Sequence, residues 1–211
     1  MAFREARPFL LGLLIITVVG ALLPHPFCWL APVAALLFGY VLWFFRDPER
    51  MPPADGDAIV SAADGKVIFV DEVEEPAYSR QKMKRVAVFL SVFDVHVNRL
   101  PYGGVIKKIT HQPGQFLDAR VPDIDVRNEA MNWLVATARG DIVIRQIAGL
   151  IARRIVAWAR EGDTLTVGGR FGMIRFGSRT DVYLPPECAV LVKPGARVKG
   201  GLTVIARWPR R

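Results

Sequence analysis

The sequence is poor in cysteine and histidine, the residues that form disulfide bonds and bind zinc. Only two cysteines and three histidines occur in 211 residues. Cys28 lies in an apolar run and Cys188 follows two prolines. A bond between them would tie an apolar segment to the far end of the chain, so we expect two free thiols in a reducing compartment. The histidines (His25, His96 and His111) are dispersed and lack the spacing of zinc ligands, so we predict no metal site.

Negative charge is also scarce. Lysine and arginine total 28 against 20 acidic residues, which gives a formal net charge of +8 and an isoelectric point near 9.9. Such an excess suits an anionic membrane surface or a polyanion. The sequence has no basic helix interleaved with aromatic residues and no recognisable nucleic-acid module, so we do not expect nucleic acid as a partner. No repeat of solenoid length occurs either.

Charged residues are missing from two stretches near the N-terminus. Residues 9–23 and 27–45 are uncharged and are separated by the segment Pro24-His25-Pro26. Each is near the ~17–25 residues that span a bilayer as a helix, although the first is short. Arginines precede the first stretch and follow the second. That charge pattern predicts a helical hairpin in the cell membrane, with both ends and the rest of the chain on the cytoplasmic face. The flanking residues are Arg4, Arg7, Arg46 and Arg50.

This N-terminal region has two other interpretations. A secretory signal peptide is disfavoured, because no small-residue cleavage site follows the first stretch and a second apolar stretch does. A hairpin that enters only one leaflet stays open, since Pro32 interrupts the second stretch. We therefore divide the chain into a membrane hairpin (1–45), a proline-rich linker (46–58) and a globular domain (59–211).

The globular part shows short strand-like segments punctuated by glycine and proline. We predict a mainly β, compact domain of sandwich or barrel type, with few helices outside the membrane. The segments 64–67 and 192–201 are similar to hairpin ends of lipoyl-carrier-like barrels. Residues 146–159 fit either a helix or a bent strand, and the pattern alone does not decide. The predicted strands are 67–70, 86–90, 133–137, 142–144, 164–167 and 189–192.

The dipeptide Gly177-Ser178 is the most informative motif. A serine hydroxyl can attack the carbonyl just before it, and glycine leaves that carbonyl uncrowded. The resulting ester can break by β-elimination, which would convert Ser178 into a pyruvoyl group at a new N-terminus. Such a ketone can accept an amine and withdraw electrons, much as pyridoxal phosphate does. On its own, however, Gly-Ser is also a common turn dipeptide.

Two more segments give this motif a context. Residues 61–67 contain Asp64 at a glycine turn, and residues 89–101 contain His96 after a strand-like run. Together with Gly177-Ser178 they resemble the phosphatidylserine decarboxylase proenzyme family in its short form. The resemblance covers nearly the whole chain from Phe45 onward. It also includes the segments 45–48, 111–117, 128–129 and 146–155.

The resemblance implies an activity and a maturation step. The chain would cut itself between Gly177 and Ser178, and the β chain (1–177) and α chain (178–211) would remain together as a heterodimer. The pyruvoyl group made from Ser178 would be the cofactor. The enzyme would convert phosphatidylserine to phosphatidylethanolamine and CO₂ in phospholipid biosynthesis. The resemblance also favours extended structure over 146–159.

The roles of individual residues follow from the same resemblance together with acid–base chemistry. Ser178 is the nucleophile and His96 the base that takes its proton. Asp64 is our choice to orient the imidazole, with Asp94 as the alternative because it lies two residues from His96. The long forms of the family carry a second histidine where this chain has Arg99, so His96 is expected to serve in both cleavage and decarboxylation.

Two other functions remain open at this stage. The same chemistry could act on archaetidylserine, which has an identical headgroup. A different class is a non-enzymatic, membrane-tethered, lipoyl-like carrier with Lys66 or Lys193 at a hairpin tip. The carrier predicts an uncut chain with a modified lysine, whereas the enzyme predicts two fragments.

Overall fold

A computed structural model describes residues 1–121, 124–150, 154–175 and 177–210. The chain divides into two units, 1–48 and 49–211, which are described separately. The first unit is helical. It contains α1 (Ala2–Leu22), a short 3₁₀ turn (Phe27–Trp29) and α2 (Leu30–Phe44).

The two helices of the first unit form an antiparallel hairpin. At the turn, Gly20 lies so close to α2 that a Cβ there would be 2.9 Å from the backbone nitrogen of Ala31. At the open end, Phe9 and Phe45 stack with ring centroids 6.1 Å apart. Pro32 lies in the first turn of α2, where the missing N–H would have no helical partner, so α2 continues through it.

The surface of this hairpin is strongly apolar. Most of its large hydrophobic side chains are exposed, including Leu11, Leu36 and Trp29. Two helical segments, Ala2–Leu22 and Phe27–Phe44, are long and apolar enough to cross a membrane, judged by length and composition. An exposed apolar surface of this extent is characteristic of contact with lipid or another apolar partner, and it indicates membrane association.

The second unit consists mainly of short β-strands with one short helix, α3 (Ile124–Arg127), in the part that is described. The longer strands are β2 (Gly65–Glu74), β3 (Lys82–Leu90), β5 (Gly104–Gln112), β6 (Ala130–Thr137), β7 (Gly140–Ala148), β10 (Arg170–Ile174) and β11 (Ser178–Leu184). The shorter ones are β1 (Ala58–Val60), β4 (Val97–Arg99), β8 (Ile155–Ala157), β9 (Thr164–Leu165), β12 (Ala189–Val190), β13 (Arg197–Val198) and β14 (Val204–Arg207).

These strands form one large sheet and two small ones. The large sheet has the order β13-β2-β3-β11-β7-β6-β5-β9 and curls into a half-barrel. The small sheets have the orders β1-β14-β12 and β4-β10-β8. Neighbouring strands in all three sheets run antiparallel. The predicted mainly β fold preceded by a helical hairpin is therefore confirmed.

The strand at the centre of the large sheet carries the predicted cleavage site at its first residue. β11 pairs with β3 on one side and β7 on the other, and every one of its residues is buried. Val182 and Leu184 belong to the main hydrophobic core. Because side chains alternate along a strand, Arg179 and Asp181 point to the opposite face. Buried charges on one face hide the apolar alternation, and for that reason the sequence did not predict this strand.

Each of the six predicted strands overlaps a strand of the structure. The ambiguous region 146–159 is extended at both ends, in β7 and β8, as the resemblance implied; residues 151–153 between them lie outside the described part. The segments 64–67 and 192–201 meet, because β13 pairs with β2. Whether these hairpins are lipoyl-carrier-like stays a prediction.

Candidate active site

Ser178 is completely buried at the start of β11. It pairs with Leu90 of β3 and Ala148 of β7. Its Oγ has no hydrogen-bond partner within the described part of the chain. A buried hydroxyl without a partner costs about 1–3 kcal/mol and is uncommon in folded proteins. The hydroxyl of the predicted nucleophile is therefore buried, and it is not hydrogen-bonded to the predicted base, His96.

Gly177 turns the chain just before the nucleophile. Its φ is +61°, in the left-handed region that favours glycine. A Cβ at this position would meet nothing within 4 Å, so the backbone conformation, and not a lack of space, requires glycine. Phe176, which precedes it in the motif, lies outside the described residues.

The structure brings His96 to this turn from 81 residues away. Its Nδ1 lies 2.9 Å from the carbonyl oxygen of Asp94, and its Nε2 accepts a hydrogen bond of 3.4 Å from the N–H of Gly177. A carbonyl can only accept, so the proton is on Nδ1 and the lone pair on Nε2. The neutral imidazole, which is almost fully buried, therefore presents its basic nitrogen to the predicted cleavage segment.

Asp64 is held by a residue that sequence reasoning did not select. Arg50 donates from Nη1 to Oδ1 at 2.5 Å and from Nη2 to Oδ2 at 2.8 Å. The backbone N–H of Gly200 donates to Oδ1 at 2.8 Å, and Arg50 also donates to the carbonyl of Gly200. Asp64 thus links the linker to a loop near the C-terminus. Its predicted role in orienting His96 stays a prediction. The sequence analysis named Arg50 only as a basic residue that flanks the second apolar stretch, whereas the structure buries its side chain in this ion pair.

Asp94, the alternative orienting acid, contacts His96 through its backbone carbonyl. Its carboxylate accepts hydrogen bonds from the backbone N–H and the hydroxyl of Ser91, at 2.9 and 2.6 Å. A longer contact of 3.4 Å runs from Arg197. Asp94 therefore shapes the turn that precedes β4, which presents its carbonyl to the imidazole.

A buried chain of polar side chains connects β4 to the central strands. Trp133 donates to Gln146 at 2.8 Å, and Gln146 donates to Asn98 at 2.6 Å. Asn98 in turn donates to the hydroxyl of Thr180 at 3.3 Å. Asn98 and Thr180 each lie two residues after the predicted base and the predicted nucleophile, respectively. These hydrogen bonds therefore fix β4 relative to β11. Sequence reasoning missed them because the residues that they join are far apart in sequence.

The sequence comparisons identify the family of this chain. The family model described as phosphatidylserine decarboxylase matches residues 37–206, most of the chain. The chain belongs to the phosphatidylserine decarboxylase family. Among similar proteins are three named phosphatidylserine decarboxylase proenzyme. That of Symbiobacterium thermophilum is 47% identical over 98% of this chain and 95% of its own length. Those of Gluconacetobacter diazotrophicus and Syntrophus aciditrophicus are 47% and 46% identical, over 96% and 94% of this chain and 92% and 93% of their own lengths.

In this member of the phosphatidylserine decarboxylase family, the strand that follows the predicted cleavage site contains a buried ion pair. Arg179 donates to both carboxylate oxygens of Asp181, at 2.7 and 2.5 Å, and both side chains are fully buried. Burial, with the negative charge of Asp181 nearby, raises the pKa of the Tyr183 hydroxyl. Because both partners of the ion pair belong to β11, the pair compensates two buried charges within the strand, on the face opposite Ser178. The backbone ladders with β3 and β7 are what join β11 to the rest of the sheet.

A small cavity of about 150 Å³ opens beside Gly177. Its wall includes Gly149, Ala119 and the ion pair between Asp118 and Arg120. A larger cavity of about 420 Å³ lies elsewhere, near Tyr78 and Pro185, and none of the predicted site residues lines it. In this phosphatidylserine decarboxylase family member, the small cavity is therefore the candidate for chemistry at Ser178.

Proposed function

We propose that this chain is a self-processing, pyruvoyl-dependent decarboxylase that converts phosphatidylserine to phosphatidylethanolamine and CO₂. One observation carries the proposal. The buried, unpartnered hydroxyl of Ser178 directly follows a glycine whose N–H meets the Nε2 of His96, in a chain of this family. The name proenzyme, which the relatives share, supports the processing step.

The cleavage can be written with these residues alone. The Ser178 oxygen attacks the carbonyl carbon of Gly177 while Nε2 of His96 accepts the hydroxyl proton. The C–N bond breaks and the same proton passes to the serine nitrogen, leaving an ester. His96 then removes the α-proton of Ser178, and the bond from Cβ to the ester oxygen breaks. Gly177 departs as a carboxylate, and water converts the remaining dehydroalanine into a pyruvoyl group with release of ammonia.

The position of Ser178 suits the group that would form there. A pyruvoyl group is small and uncharged, so a fully buried strand end beside a small cavity can hold it without burying an unpaired charge. When formed, its ketone would bind the substrate amine and draw off the electrons released as CO₂ leaves. His96 would hold the proton that is returned to carbon. Asp64 is proposed to support His96 in both reactions.

The fold also explains how two fragments would stay together. β11 opens the proposed α chain (178–211), and it is hydrogen-bonded to β3 and β7 of the proposed β chain (1–177). Further pairings join β13 to β2 and β14 to β1. These strand pairings hydrogen-bond the proposed α chain to the proposed β chain at several places. A heterodimer is therefore the expected product of cleavage.

We place the protein at the cell membrane, with the catalytic domain (59–211) on the cytoplasmic face and the proline-rich segment 46–58 as its linker. The apolar hairpin, flanked by arginines, supports this location. Tethering to the bilayer raises the local concentration of a lipid substrate, which a soluble amino acid would not require. Archaetidylserine has the same headgroup, but the similar proteins above are named for phosphatidylserine.

Intact-mass spectrometry of the purified protein tests the proposal. Two fragments, 1–177 and 178–211, are expected, with the smaller one blocked to Edman degradation by its keto group. Ser178→Ala should give one uncut chain without decarboxylase activity, whereas Ser79→Ala, in the β2–β3 hairpin, should be cut normally. An uncut wild-type chain with an unmodified Ser178 would refute the enzyme. A modified Lys66 or Lys193 on such a chain would favour the carrier.

A further inference from the structure

The backbone of Gly149 lies directly against the carbonyl group that Ser178 is proposed to attack. A Cβ placed on Gly149 would lie well inside 3.0 Å of the carbonyl oxygen of Gly177, a distance that real Cβ atoms essentially never show. It would lie 3.2 Å from the carbonyl carbon. The φ of Gly149 is outside the left-handed region, so close approach, and not backbone conformation, requires glycine here. Only a hydrogen atom fits between Cα and the carbonyl.

Gly149 is held firmly in that place. The preceding residue, Ala148, ends β7 and pairs with Ser178. Its N–H donates to the carbonyl of Glu129 at 2.9 Å, and its carbonyl accepts from the side-chain amide of Asn128 at 2.7 Å. Asn128 is fully buried, and it also makes two hydrogen bonds with the backbone of Leu117. The end of β7 therefore has bonded partners on the side away from β11.

There is also little room for Gly149 to move aside. The same Cβ would lie 3.4 Å from the Cβ of Ala119, which forms the other wall of the small cavity. A methyl group at 149 would thus push on the Gly177 carbonyl on one side and approach Ala119 on the other. The carbonyl is the more easily displaced, because it belongs to a turn with a positive φ and not to a strand.

We propose that Gly149 is a positioning residue for self-cleavage, an inference that rests on the proposed function. Contact with its Cα fixes the orientation of the Gly177 carbonyl, so that the carbon faces the Ser178 oxygen. The Cα–H group directed at the carbonyl oxygen also provides a weak donor where negative charge develops during the attack. A displacement of about 1 Å in such a geometry can cost about 100-fold in rate.

The test compares Gly149→Ala with Gly56→Ala. A Cβ at Gly56 would meet nothing within 4 Å, and its φ is ordinary, so this variant is the matched control. Each full-length chain is made in a pulse of labelled amino acid with detergent or vesicles, and release of the 178–211 fragment is followed with time. Gly149→Ala should be cut at least about 100-fold more slowly than wild type, and Gly56→Ala at the wild-type rate.

Hydroxylamine identifies the step that is affected. It splits esters but not peptide bonds, so it releases the small fragment only from chains that have formed the ester. Folded Gly149→Ala should resist hydroxylamine, because its carbonyl is turned away from Ser178. Rapid release would show that the ester forms normally and would overturn the inference, as would cleavage of the folded variant at the wild-type rate.

A second variant keeps the inference testable if Gly149→Ala does not fold. Asn128→Ala leaves the glycine in place but removes the side-chain bond to the Ala148 carbonyl, together with the two bonds to the backbone of Leu117, so the end of β7 is less firmly held. Cleavage about tenfold slower than wild type, with unchanged circular dichroism, is expected; an unchanged rate would overturn the inference. If wild type itself is not cut, the proposed function fails; if wild type and Gly149→Ala are cut equally fast, only this inference fails.

Discussion

The ion pair between Arg50 and Asp64 allows the role of the predicted orienting acid to be tested. The side chains are 6% and 11% exposed, and the pair is bidentate. Removing one partner of a buried ion pair costs about 3–5 kcal/mol, because the other charge is left without compensation. In Arg50→Ala, the carboxylate keeps only the Gly200 N–H among the bonds described for it. We therefore expect Arg50→Ala to lower the free energy of unfolding by about 3–5 kcal/mol.

The measurement is denaturant unfolding of the full chain in detergent, in the Ser178→Ala background so that all chains are uncut. Lys107→Ala is the matched control. Lys107 pairs with Asp141 at 3.1 Å, but both side chains are about half exposed, so its loss should cost about 0–1 kcal/mol. If Arg50→Ala costs no more than Lys107→Ala, the buried pair does not stabilise the fold as argued.

The rate of self-cleavage then distinguishes a structural role of Asp64 from a chemical one. With Ser178 restored, Asp64→Asn keeps the shape of the side chain but removes its charge. If Asp64 supports His96, the Asp64→Asn chain should be cut much more slowly than the Arg50→Ala chain. This difference should appear even if Arg50→Ala is no more stable than Asp64→Asn. Asp94→Asn should be affected less than Asp64→Asn, since Asp94 contacts the imidazole through its backbone. Normal cutting by a folded Asp64→Asn chain would leave Asp64 with a structural role only.

Three further outcomes are expected. His96→Ala should abolish cutting, whereas His111→Ala should leave it intact, because His111 is half exposed and paired with Glu129; normal cutting by His96→Ala would move the base elsewhere. Burial raises the pKa of the Cys188 thiol to about 11, so iodoacetamide at pH 9 should label it far faster in urea than in the folded protein, as read by mass. Because the folded state favours the protonated thiol, its contribution to stability is present below the ordinary thiol pKa and is lost as pH rises through about 11. Deleting residues 1–46 should reduce turnover of phosphatidylserine in bilayers far more than that of a short-chain soluble form; equal losses would mean that the hairpin supports the fold.

Local patterns in the sequence were enough for several features. Two uncharged stretches separated by prolines predicted the helices of the hairpin. This was possible because a membrane helix depends on the composition of one uninterrupted segment of the sequence. Short apolar segments between glycines and prolines predicted six strands of a mainly β domain. The spaced motifs around Asp64, His96 and Gly177-Ser178 indicated the family, which the comparisons confirmed.

Other features depend on contacts between distant residues. The central strand β11 escaped prediction because Arg179 and Asp181 neutralise each other inside the protein, which removes the alternation that marks a half-buried strand. Nothing in the local sequence pairs Asp64 with Arg50 and with Gly200, since the latter is 136 residues away. The approach of Gly149 to the Gly177 carbonyl likewise arises only from the register between β7 and β11. The sequence by itself determined which elements form and which family the chain resembles. The tertiary structure alone decided which backbone atoms and charges meet around the predicted cleavage site, because these contacts join segments that no local pattern connects.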